Sequence, residues 1–180
     1  MSVSYLTGCV DVPAYITDCC IDEEPGRIRA AAFVRKDFVF ANDDITDATE
    51  WQRGVTLGQI ILVPDVRGSL AAPSFTEEDG YGDTEGQISS LTYEITYRDR
   101  NYSNNCDTYS ALMRNGNYRF AYVTKNFVHL SDKPAVVMPK PVVPENYKET
   151  AYTEVTARFT QQNLVCPVAR PADVFDCDFQ

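Results

Sequence analysis

Histidine and tryptophan are nearly absent from this chain of 180 residues, which has one of each, His129 and Trp51. A Ser, Cys or Thr nucleophile needs a neighbouring base, most often histidine. His129 lies in a short β-type segment before Leu130-Ser131-Asp132, and no spacing brings Cys106 or an acid to it. A structural or surface role is the reading for His129, and no catalytic residue is expected anywhere in the chain. Long apolar runs are missing as well: none reaches the roughly 20 residues that span a bilayer. The start, Met1-Ser2-Val3-Ser4-Tyr5, lacks the basic and apolar blocks of a secretory signal. Synthesis in a cytoplasm is therefore expected, where the six cysteines would stay reduced. There is no Walker A pattern and no glycine-rich turn between a strand and a long helix. Basic clusters are missing too. Sixteen Lys and Arg face 26 Asp and Glu, for a net charge of −10. Such a chain repels phosphate backbones, so sequence-specific nucleic-acid binding is not expected.

What is present favours sheet. The chain carries eleven Tyr and nine Phe, and hydrophobic residues make up 44% of it. Tyr, Phe, Val and Thr suit pleated, half-buried surfaces. The β signal begins at Arg27, with Ile28, Ala30, Ala32 and Val34 in alternation and Phe38 and Phe40 on the same parity. A short helix fits 47–54, with Asp47 as N-cap, Glu50 three residues on and Gly54 as a stop. Ile60-Ile61-Leu62-Val63 reads as a buried strand stopped by Pro64. The clearest strand covers 88–98, where Leu91, Tyr93, Ile95 and Tyr97 alternate with Ser90, Thr92, Glu94, Thr96 and Arg98. A second helix, capped by Ser103 or Asn104, would gather Cys106, Tyr109, Leu112 and Met113 on one face before Asn115-Gly116. Further strands are predicted from Tyr118, at 126–130, at 135–138 and at 150–161. In the last, Val155, Ala157 and Phe159 face inwards. Pro139, Pro141 and Pro144 mark an irregular connection.

The fold class is therefore mainly β: an antiparallel β-sandwich or open barrel with one flanking α-helix and extended arms at both termini. Residues 1–26 form the N-terminal arm, 27–163 the core and 164–180 the C-terminal arm. Residues 64–87 are predicted to be one long loop. In it Glu77, Glu78, Asp79, Asp83 and Glu85 stand together without a base. Their spacing does not match a calcium-binding EF-hand, and a solvated acidic loop is the simpler reading. A carboxylate-dependent hydrolase remains the enzymatic alternative, requiring two acids roughly 5–10 Å apart in a cleft. Cys9, Cys19, Cys20, Cys166 and Cys177 lie in the two arms, yet no CxxC pair marks a zinc ribbon. No metal or cofactor is expected, and thiols used as small hydrophobes are the default.

Several stretches stand in a suggestive order. They are Gly26-Arg27-Ile28-Arg29-Ala30-Ala31-Ala32-Phe33-Val34 after an acidic, Cys-bearing leader, the Trp51 segment, Gly68-Ser69 and Gly80-Tyr81-Gly82. The strand 91–99, Asn105-Cys106-Asp107-Thr108-Tyr109 and Cys166-Pro167 follow. This order resembles small virion proteins of tailed phages of Bacteroidetes, including the crAss-like phages. The resemblance implies a virion component assembled in the host cytoplasm, with a tail-tube-like fold. It would form homo-oligomeric rings in the tail or head-to-tail connector. Neighbouring tail or neck proteins would be its partners, and DNA would pass through passively. No membrane partner is expected. Ring contacts are expected at Cys19 and Cys20, at Glu77, Glu78, Asp79, Tyr81 and Asp83, and at Val174, Phe175 and Phe179. A capsid decoration protein, or a β-sandwich module binding carbohydrate or protein, is the alternative. An exposed row of tyrosines would favour that module.

Overall fold

A computed structural model of the chain describes residues 25–80, 86–101 and 103–176. The chain folds as a β-sandwich of two antiparallel sheets. The first sheet holds β1 (Ala30–Arg35), β2 (Ile60–Val63), β6 (Tyr118–Val123), β7 (Phe127–Pro134) and β10 (Val168–Ala169), in the order β10-β7-β6-β1-β2. The second holds β3 (Arg67–Leu70), β5 (Gln87–Asp99), β9 (Tyr152–Gln161) and β8 (Val136–Val142), in the order β3-β5-β9-β8. β4 (Ser74–Glu78) also pairs with β5. The helices are α1 (Ala48–Thr56) and α2 (Cys106–Arg114).

Alternation in the sequence becomes the core between the sheets. Leu91, Tyr93, Ile95 and Tyr97 on β5 and Val155, Ala157 and Phe159 on β9 point to Ala31, Phe33, Phe120 and Tyr122 of the facing sheet. The Tyr97 ring stacks on Phe120 across the gap, with centroids 6.1 Å apart. Tyr109 and Leu112 of α2 join this core, whereas Cys106 and Met113 of the expected helix face are exposed. Asn105, not Ser103 or Asn104, precedes the helix, and its side chain makes no capping bond.

A second core covers the other face of the first sheet. There Ala30, Ala32 and Val34 meet Phe38, Phe40 and Trp51, together with Val174 and Phe175 near the C-terminus. This explains why β1 is buried on both faces from Ala30 to Val34. Ile28 does not share that face as its parity suggested. It bridges to Gly68 and belongs to the core between the sheets. The Trp51 ring meets Phe40 at a tilt and Phe175 edgewise, at centroid distances of 5.1 and 5.0 Å. Its Nε1–H donates to the Ile45 carbonyl at 2.9 Å, so the indole is buried with its one polar atom satisfied.

Asp47 caps α1 as expected, accepting from the Thr49 N–H at 2.8 Å. Glu50 does not close a capping box. Its carboxylate accepts from the Arg53 guanidinium and the Ala41 N–H instead, and these bonds hold it below the usual carboxylate range. Gly54 lies inside the helix, and the chain turns off at Gly58, whose φ of +67° suits glycine.

Three broader expectations about the chain's course are corrected as well. The long loop at 64–87 contains two strands, β3 and β4, laid end to end along one edge of β5. Pro139 and Pro141 lie within β8 rather than in an irregular connection. β8 is an edge strand, where a missing N–H on the outer side breaks no ladder. The C-terminal stretch is not a free arm through residue 176. β10 pairs with β7, Arg170 forms a 2.7 Å ion pair with Asp176, and Val174 and Phe175 are buried.

Candidate functional site

The most exposed regular structure is the hairpin made by β4 and the start of β5. β9 reaches only as far as Gln161, which pairs with Leu91. Beyond that point Gln87, Ile88 and Ser90 of β5 pair with β4 alone. Every residue of β4 is exposed, with Phe75 at 58%, and on β5 Ile88, the partner of Glu77, is 55% exposed. The register shifts between Thr76 and Glu77, and the Ser89 hydroxyl donates to the Thr76 carbonyl at this bulge. Bulges bend and twist a hairpin out of its parent sheet.

The hairpin carries the acids singled out in the sequence. Glu77 and Glu78 end β4 and Asp79 follows, all three exposed. Tyr81, Asp83 and Glu85 lie outside the described residues, as do Cys9, Cys19, Cys20, Cys177 and Phe179. Cys106 and Cys166, the two cysteines among the described residues, are exposed thiols. Val174 and Phe175, expected at an interface with a neighbouring copy, are buried against this chain's own Trp51. They offer no surface to a partner, because the second core already uses both.

Sequence reasoning missed the pairing of β4 with β5. The signal was present: Ser74-Phe75-Thr76 and Gln87-Ile88-Ser89 flank a stretch containing Gly80, Gly82 and Gly86, a pattern that can be read as a hairpin.

A second feature lies at the opposite end of β5. A groove of about 630 Å³ runs between β2 and α2, with Ile61, Leu62, Asp99, Asn105 and Tyr109 among its walls. The Tyr109 hydroxyl donates to Asp99 Oδ2 at 2.7 Å, Asn105 reaches the same oxygen at 3.4 Å, and the Asn101 N–H donates to Asp99 Oδ1. Tyr97 lies 3.4 Å from Tyr109, hydroxyl to hydroxyl. Burial raises both phenols far above the ordinary tyrosine range, and nearby Asp99 pushes the same way. They therefore act as fixed hydrogen-bond donors. This network bolts α2 to the end of β5, and among the described residues no histidine, cysteine or lysine lines the groove.

The tyrosines of the core strands form no exposed row that could stack on a sugar. Tyr93, Tyr97 and Tyr122 are buried, and the sole histidine, His129, stacks flat on Tyr122 with centroids 4.4 Å apart. No family model, curated protein or solved structure matches this chain.

Proposed function

We propose that the protein is a structural component of a tailed-phage virion, forming homo-oligomeric rings in the tail or head-to-tail connector. The observation that carries this reading is the hairpin of β4 and early β5. A two-stranded projection without a covered face is at best marginally stable in water. Phe75 at its base and Ile88 along it stand exposed at more than half of their full area. Contact with a neighbouring subunit would bury those side chains and fix the hairpin. The resemblance in motif order supplies the virion context, since the tail-tube plan combines a β-sandwich with a β-hairpin that meets or lines a ring.

The acidic composition suits a DNA conduit. A ring with a net charge of −10 on each subunit would repel the DNA passing through it, so the charge would keep the lumen from sticking. The alternative, a carbohydrate-binding module, has less support because three of the core-strand tyrosines are buried.

Electron microscopy of the purified chain over a concentration series tests the reading, with proteomics of purified phage particles. Closed rings of uniform copy number, and the protein's presence in intact particles, are the expected results. A chain that stays monomeric at every concentration and is absent from particles would contradict it.

A further inference from the structure

Arginines meet where an acidic protein has few bases to spare. Arg67 of β3 and Arg98 of β5 are direct cross-strand partners. Like charges placed opposite each other destabilise a sheet unless something neutralises them. With Arg100 they line a hollow of about 400 Å³ whose other walls include Glu149 and Tyr152. Arg98 lies over the Tyr152 ring and 3.9 Å from Glu154, a loose pair on an exposed face. Arg67 and Arg100 form no ion pair among the described residues.

The same strand carries the opposite charge at its other end. Between Arg67 and Arg98 the sequence has no Lys or Arg, and Glu77, Glu78 and Asp79 are exposed on the hairpin. At about 3.4 Å per residue, Gln87 and Arg98 lie roughly 37 Å apart along β5. A paired strand cannot fold back over that length, so the acidic hairpin cannot reach the arginines of its own chain.

We infer that the hollow formed by Arg67, Arg98 and Arg100 receives the acidic hairpin of a second copy, around Glu77, Glu78 and Asp79. The contact is heterologous, with the head of one subunit on the tail of the next, and such contacts close into rings or continue as filaments. Guanidinium groups suit the task because each can hold a carboxylate through two parallel N–H bonds. The partner's carboxylates would also relieve the repulsion between Arg67 and Arg98. This inference rests on the ring-forming reading and names the contact that builds the ring.

Charge reversal tests it, read as mass by light scattering. One variant carries E77K, E78K and D79K; the other carries R67E, R98E and R100E. All six positions are exposed, so each variant should stay folded, although R98E faces Glu154 of β9 and should lower the melting temperature of its variant slightly. Each alone pairs like charge with like, and its association constant should fall on the order of a hundredfold. Mixed in equal amounts, the two variants complement each other at both contacts and should assemble again in alternation. Wild-type association should weaken on the order of tenfold between low and high salt. A milder triple variant, R67Q, R98Q and R100Q, should show an intermediate loss. Should the wild type assemble while the variants match it, the ring reading stands and this contact is wrong. A wild type that never associates overturns this contact, and its absence from phage particles as well removes the ring reading. Binding of duplex DNA or polyphosphate at the arginines, without self-association, assigns the hollow to phosphate and overturns the contact.

Discussion

The two halves of β5 live in different environments. From Leu91 to Tyr97 the inward side chains are buried between the sheets, with β9 on one edge. From Gln87 to Ser90 the strand pairs only with β4, and Gln87 and Ile88 are exposed. One continuous strand thus serves as core at one end and as surface at the other. Stability should depend on the first half and on the layers around it. Assembly should depend on the second half and on the arginines at the far end.

The largest break in that comparison should come from the body. Trp51→Ala empties a fully buried site in the second core, and a loss of about 3–5 kcal/mol is expected in denaturant unfolding. Gly68→Ala should cost about 1–3 kcal/mol. A methyl there would sit 2.7 Å from the Tyr97 Cβ and 2.9 Å from the Thr96 carbonyl, and moving away would strain the pairing with β5 and the two backbone bonds to Ile28. Tyr109→Phe removes the donor to the buried Asp99 and should cost about 1–3 kcal/mol, with α2 the first element to lose hydrogen-exchange protection.

Alkaline titration sharpens the same contrast. Tyr97, Tyr109 and Tyr122 have folded-state pKa values raised chiefly by burial, while unfolded tyrosine ionises near pH 10. Their contribution is therefore fully present below about pH 10 and is lost as the pH rises further, because only the unfolded chain can release those protons. Denaturant midpoints measured from neutral pH upward should stay level with respect to these groups and then fall. At the other end of the strand, Phe75→Ser should change stability by less than about 0.5 kcal/mol, since the side chain is already exposed. Its effect should appear in association instead.

Much of the body was legible in the sequence because its signals are local. The alternation at Leu91, Tyr93, Ile95 and Tyr97, the run Ile60–Val63 and the Asp47 cap each describe a segment and its solvent side. What local patterns could not carry was the second layer. Ala30, Ala32 and Val34 alternate with Ala31 and Phe33, and both sets are buried because Trp51 and Phe175 cover the outer face. The fate of Val174 and Phe175 depended on that same distant contact. The tail has no period of its own, so it read as an arm.

The candidate site was half legible. The acids at Glu77, Glu78 and Asp79 stood out by composition, but their position on a projecting hairpin depends on where β9 ends. The arginine hollow was invisible for a related reason. Arg67 and Arg98 lie in separate segments, and only the register of β3 on β5 sets them face to face.

The central claim is that the hairpin serves assembly and not folding. Replacing residues 77–89 with a two-residue Asn-Gly turn would join Thr76 to Ser90 in a tight hairpin and delete the projection. Melting temperature and solution mass, measured on this variant beside the wild type, test the claim together. An unchanged melting temperature, and a monomer at concentrations where the wild type associates, are the expected results. A variant that melts far earlier, or that still assembles, would contradict it.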